Sequence, residues 1–237
     1  MIKKYIQNIK KVLPKPVSNF LINTKNAYHR FIYKNIHTNF NIHTIYTGHL
    51  NTTYRGVTAI KCPFDYVLYQ MIISEIEPDL IIEIGTHKGG GSLYLGDLLN
   101  TLGKGVLHTI DIEPVDNKTI INHPRIKLFS EGWEKYDIKE TDGFSKILVI
   151  EDGAHTYEHS IGAMKKFAPL VSVGSYLIVE DGIITELGMG EKFNGGPLKA
   201  VREFMKDNQT FKIERKWCDF FGKNATFNVD GYLKRIK

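Results

Sequence analysis

The stretch Ile81–Ser92, IIEIGTHKGGGS, decides the fold. The apolar run Leu80 to Ile84 reads as a buried strand carrying Glu83 near its end; a turn follows, and three glycines open the next segment. Ahead of it, Val67, Leu68, Met71, Ile72 and Ile76 recur at helical spacing, and Pro78 ends that helix. Behind it, Leu95, Leu98, Leu99 and Leu102 mark an amphipathic helix that starts in the glycines. Further strand patterns fall at Val106 to Ile112, Ile126 to Phe129, Lys146 to Ile150, Ser175 to Val179, Phe211 to Phe221 and Thr226 to Arg235. Helical patterns fall at Thr156 to Leu170 and Pro197 to Lys206. Strands separated by helices predict an α/β chain with a doubly wound, mostly parallel seven-stranded sheet and ligands at the carboxyl ends of its strands.

The glycine turn discriminates among nucleotide-binding loops. A P-loop requires Lys directly before the Ser, but Gly91 stands there and Lys88 comes three residues earlier. The dinucleotide fingerprint requires Gly-x-Gly, and His87 occupies the second glycine position. Glu83-x-Gly85-x-x-x-Gly89 fits the S-adenosylmethionine turn of Rossmann-like methyltransferases. There the backbone passes close to the methionine moiety, and its carboxylate faces a helix N-terminus. Glu83 is placed to accept from the cofactor's ammonium. Asp111, at the end of "LHTID", is placed to accept from both ribose hydroxyls.

Two later strand patterns end in acid, "ILVIEDGAH" with Asp152 and His155, and "YLIVEDG" with Glu180 and Asp181. On neighbouring parallel strands these ends lie roughly 5 Å apart, so three carboxylates meet at one rim. A hard divalent cation, Mg²⁺ or another, relieves their repulsion; the alternative is that one or two of them cap the following helices. His155 is then placed to take a proton from an acceptor hydroxyl, and His159, one turn further on, to contact substrate.

Charge and length bound the rest. Of the 31 Lys and Arg, ten lie in residues 1–64 with no Asp or Glu, which leaves 21 bases against 26 acids in the remainder. We therefore divide the chain into a basic N-terminal extension, 1–60, and a methyltransferase-type domain, 61–237. The extension suits an anionic membrane surface or glycolipid, an acidic neighbouring subunit, or simply solvent. No nucleic-acid motif accompanies the charge. No apolar run reaches the roughly 18 residues of a membrane span, and the two cysteines lack metal-ligand spacing, so a reducing, cytoplasmic setting is expected.

The stretches "KCPFDYVLYQMIISEIEPDLIIEIGTHKGGGS", "EDGAHTYEH", "FAPLVSVGSYLIVED", "GGPLKAVREFM" and "GYLKR" together resemble the cephalosporin hydroxylase family, relatives of the macrocin-type sugar O-methyltransferases, over roughly Lys61 to Arg235. That family usually runs Gly-Gly-Ser where this chain has Gly91, with the hydroxyl one place later at Ser92. The resemblance implies Gly85, Thr86, Gly89 and Ser92 around S-adenosylmethionine, Asp152, Glu180 and Asp181 on Mg²⁺, and His155 as base. It also implies a small-molecule acceptor, a sugar hydroxyl above all, and a homo-oligomer. The rival readings are a hydroxylase, as the family name suggests, an N-methyltransferase of a phospho-amine head group, and a non-catalytic protein docking on membranes or partners.

Overall fold

The computed structural model describes residues 41–237 and, before them, Val17, Phe20, Asn23, Thr24 and Ala27. The chain divides into two units, Met1–Asn41 and Ile42–Lys237. The second begins with α1 (Ile42–His49) and a short hairpin of β1 (Thr53–Tyr54) and β2 (Val57–Thr58). In α2 (Pro63–Ile76) the proline sits in the first turn, where no N–H is needed. The helix closes at Glu77, whose left-handed backbone donates to the Ile73 carbonyl at 2.7 Å.

Next come β3 (Leu80–Ile84), α3 (Gly90–Leu102), β4 (Val106–Ile110), α4 (Lys118–Ile121), β5 (Ile126–Phe129), β6 (Ile147–Glu151) and α5 (Tyr157–Phe167). They are followed by β7 (Tyr176–Val179), α6 (Ile183–Glu186), α7 (Gly196–Asp207), β8 (Phe211–Ile213), α8 (Arg215–Cys218) and β9 (Tyr232–Arg235). The seven strands from β3 to β9 form one sheet in the order β5-β4-β3-β6-β7-β9-β8. The pairs from β5 through β7 are parallel, and β9 runs antiparallel to both its neighbours.

All five residues of β3 are buried, and so are all five of β6, because helices cover both sheet faces. The pleat divides their side chains. Leu80, Ile82, Ile84, Val149 and Leu177 pack with Met164 and Phe167 of α5 and Val201 and Phe204 of α7. Ile81, Leu107, Leu148, Ile150 and Ile178 pack on the other face with Leu68 and Ile72 of α2, Leu99 of α3 and Trp217 of α8. The direction of winding reverses between β3 and β6, which opens a crevice at their carboxyl ends.

Gly85 sits in that crevice at φ +101°, and a Cβ there would lie 1.9 Å from the Asp152 carbonyl oxygen. Its glycine identity is therefore a condition for β3 and β6 to converge, in addition to any close approach of a ligand. The Gly85 amide donates to the Ile110 carbonyl and the Asp152 amide to the Ile84 carbonyl, both at 2.8 Å, fixing the three strand ends together.

The two late strand patterns are shorter than their apolar content suggests. The first stops at Ile213, because Trp217 and Cys218 bury themselves from α8. The second starts only at Tyr232, after a loop that Arg215 ties through Asp219, Asn224 and Asp230. Residues 42–60, grouped with the basic extension for want of acids, lie in the second unit, so the unit boundary falls at Asn41/Ile42 and not near 60. The hairpin is held on α3 by Asp97, which accepts from Tyr54 Oη (2.9 Å) and pairs with Arg55 (3.1 Å) and His123 (3.1 Å). The expected membrane or glycolipid contact falls mainly on residues outside those described. Among the described residues, no helix is long and apolar enough to cross a membrane.

Replacing Gly85 with Ala should destabilise the chain by about 2 kcal/mol or more, since backbone must move and φ is unfavourable. Urea unfolding followed by circular dichroism measures this, and an unchanged midpoint would contradict the close strand approach.

Candidate functional site

The crevice widens into a cavity of about 650 Å³ lined from both sides of the switch point. On one side stand Glu83, Gly85, Thr86, Gly91 and Asp111. On the other stand Lys61, Asp152, His155, His159 and Asp181, with Trp133 and Glu134 entering from the loop after β5.

Glu83 is almost wholly buried at the end of β3. Its Oε2 accepts from Thr109 Oγ1 at 2.7 Å and from Ser92 Oγ, and Thr109 also meets Thr86 Oγ1 at 2.7 Å. Burial raises the Glu83 carboxyl above the usual range, against the lowering effects of Lys61 and the two hydroxyls. Oε1 lies 3.4 Å from where a Gly91 side chain would begin, and Gly91 lines the cavity. Asp111 follows the end of β4. Its Oδ2 accepts from the His87 amide at 2.8 Å, and its Oδ1 from the amides of Ile112 (2.7 Å) and Glu113 (3.2 Å). The carboxylate is thus fixed in orientation at the cavity wall.

Two residues expected to touch the cofactor stand behind the wall. Ser92 is fully buried and spends its hydroxyl on Glu83 and Thr109. Gly89 caps α3 at φ +83°, where a Cβ would meet Ile120 at 2.3 Å. Glu83, Gly85, Thr86 and Asp111 do line the cavity.

Across the switch point, one ligand-type atom from each of Asp152, His155 and Asp181 falls within 4.8 Å of the others. His155 Nε2 is 3.3 Å from Asp181 Oδ2, and its Nδ1 is buried with no partner. Both residues adopt left-handed backbone, φ 58° and 56°, a strain tolerated where surrounding structure overrides it. Glu180 adjoins them but turns inward. Lys61 Nζ lies 2.9 Å from Asp152 Oδ2 and 2.5 Å from Glu180 Oε1, with Tyr69 Oη donating to the same oxygen at 2.7 Å.

Like charges 4 Å apart cost about 4 kcal/mol at an effective dielectric constant of 20, so the repulsion among Asp152, Glu180 and Asp181 calls for relief, by protonation or by a nearby cation. Lys61 supplies part of it. Its ammonium is held strongly protonated: burial opposes the charge, but Asp152, Glu180 and Glu83 overcome it. Burial raises both the Asp152 and Glu180 carboxyls, Lys61 pulling each back down. Burial depresses His155, yet Asp181 and Asp152 outweigh it and leave the ring more basic than usual.

His159 lines the cavity, but its Nδ1 is 3.1 Å from Glu151 Oε1, an acid with no exposed surface whose Oε2 is unpartnered. Gly153 makes room for that ring, since a Cβ there would be 1.9 Å from His159 Cε1. Lys61, Glu151 and Trp133 were assigned no role from sequence. A signal for Glu151 lies in the repeated "EDG" at both strand ends. Glu151 pairs across from Val179, so the two copies are offset by one residue and the first glutamate lands on the opposite side of the strand from Asp152. Lys61 had no comparable signal, because nothing in a line of sequence places it beside residues ninety and more positions away.

The family model described as rhamnosyl O-methyltransferase/CmcI matches residues 46–236. A rhamnosyl O-methyltransferase of Mycobacterium bovis (strain BCG / Pasteur 1173P2) is 32% identical over 177 residues, covering 68% of this chain and 71% of the relative. One of Mycobacterium leprae (strain TN) is 29% identical over 220 residues, covering 88% and 89%. Among solved structures, CmcI with SAH superposes with a TM-score of 0.59 at 17% identity, covering 88% of this chain and 91% of that one. CmcI with Mg and SAM gives 0.56 at 20% identity, covering 88% and 84%. The structural likeness carries the fold alone; the family match over most of the chain and the mycobacterial relative carry the kinship. The chain therefore belongs to the rhamnosyl O-methyltransferase/CmcI family and is an S-adenosylmethionine-dependent O-methyltransferase.

Proposed function

We propose that this protein transfers the methyl group of S-adenosylmethionine to a sugar hydroxyl, with a divalent cation, Mg²⁺ for preference, held at the acid cluster. The observation that carries this reading is one cavity with two chemically distinct walls, Glu83 and Asp111 on one, Asp152, His155 and Asp181 on the other. The first wall matches the cofactor. Glu83 Oε1 accepts from the amino group, Asp111 accepts from the ribose hydroxyls, and Gly85 and Gly91 leave room for the methionine moiety. Trp133 and Glu134 are placed along the remaining, nucleobase end.

The second wall fits a cation on the chemistry of its donors. Asp152, Glu180 and Asp181 come together at one rim, where Lys61 is the one lysine that pairs with any of them among the described residues. Asp152 and Asp181 present carboxylate donors to the cavity, and Glu180 adds a third if Lys61 yields it. Such an ion, when bound, lowers the pKa of an acceptor hydroxyl and fixes its oxygen. His155, oriented by Asp181, receives the hydroxyl proton on its ring.

The sugar rests on the mycobacterial relatives' names and on the donor geometry, because a vicinal diol can engage one ion through two oxygens. A hydroxylase reading gains no support from the site: the clustered trio has one histidine and two carboxylates, whereas the facial triad of such enzymes has two histidines and one.

Asp152→Ala should reduce methyl transfer to a panel of sugar acceptors by about a hundredfold or more while S-adenosylhomocysteine affinity changes by less than about threefold. Chelator should stop turnover by the native chain, and turnover undiminished in excess EDTA would exclude the metal role. Asp111→Ala should have the complementary effect, weakening S-adenosylhomocysteine about tenfold with kcat at saturating cofactor nearly intact. Calorimetric titration reads this, and unaltered affinity would move the ribose elsewhere.

A further inference from the structure

Lys61 occupies the place in the acid cluster where a second cation is expected. Its side chain is 3% exposed, its Nζ touches both Asp152 and Glu180, and Tyr69 closes the Glu180 side. The backbone that delivers it is anchored. Cys62 after it and Ala59 two places before it are buried, although Ile60 between is exposed, and the Thr58 carbonyl presses on α3 so closely that a Cβ on Gly90 would lie 2.2 Å away. A Cβ at Gly91 would stand 3.3 Å from Lys61 Cε and 3.4 Å from Glu83 Oε1, so the lysine stem lies against the bare glycine.

We propose that Lys61 is a placeholder for the divalent cation, holding Asp152 and Glu180 together in the metal-free chain and releasing them when the ion binds. The proposal rests on the metal reading above. The placeholder keeps the carboxylates assembled before the ion arrives, and it weakens binding because each ion must displace a resident positive charge. Metal affinity in this protein is then set by competition within the chain as well as by the ligands.

The test is Mn²⁺ titration of the full chain, with free ion read by electron paramagnetic resonance, for the native protein, Lys61→Met and Lys61→Arg. Lys61→Met should bind Mn²⁺ at least about tenfold more tightly. It should also melt lower than the native chain in EDTA and regain that loss with Mn²⁺. Lys61→Arg, which keeps the charge, should stay within about threefold of native affinity. A folded Lys61→Met with native or weaker affinity overturns the placeholder and leaves the metal site standing. No binding by any of the three overturns both. A second measurement holds if Lys61→Met cannot be recovered folded: the ¹⁵Nζ resonance of Lys61 in the native chain, assigned by its absence from Lys61→Arg. A shift of that resonance on saturation with Mg²⁺ is expected, and an unmoved resonance overturns the proposal.

Discussion

Asp152, Glu180 and Asp181 are carried to one sheet rim by two neighbouring parallel strands, with Glu151 buried on the other side of its strand, and the fold has to offset the charge these acids would carry. The fold meets it in three ways. Lys61 bridges Asp152 and Glu180, His155 Nε2 lies beside Asp181, and His159 Nδ1 lies beside Glu151, so each acid has a nitrogen within reach. The partners come from three separate places along the chain: the segment before α2, the turn after β6 and the first turn of α5. Loss of the sheet register would scatter all of them, which ties the chemistry of the rim to the packing of β6 against β3 and β7.

Register also explains why the cavity has two walls of different character. β3 pairs with β4 on one side and β6 on the other, so the strand that ends in Glu83 stands between the strand leading to Asp111 and the strand leading to Asp152. Gly85 allows the closest approach at that junction. A ligand lying across the junction meets Glu83 and Asp111 at one end and the cluster of Asp152, His155 and Asp181 at the other. Methyl transfer needs donor and acceptor in one cavity, since sulfonium and acceptor oxygen must be aligned within a few ångströms.

Much of this was legible in the sequence because it is local. The strand, turn and helix around Gly85 follow from apolar runs and glycine spacing, and Asp111, Asp152 and Asp181 follow from strands that end in acid. What was not legible depends on which face a residue takes or on distant partners. Ser92 and Gly89 have the right residue types for a cofactor loop, yet the Ser92 hydroxyl turns inward to Glu83 and Gly89 lies against Ile120. Glu180 and Asp181 are adjacent in sequence, yet a left-handed backbone at Asp181 sends their carboxylates to different partners. The boundary near residue 60 failed as a structural division because missing acids describe charge and say nothing of packing. Arg55 and Tyr54 reach Asp97 from within the acid-free stretch.

The most direct measurement of the central claim is a crystal structure of the chain with S-adenosylhomocysteine and Mn²⁺, located by anomalous scattering. The account predicts an ion within bonding distance of Asp152 and Asp181, and a cofactor whose ribose meets Asp111 and whose amino group meets Glu83. A cofactor seated outside the cavity, or an anomalous peak away from the carboxylate rim, would contradict it.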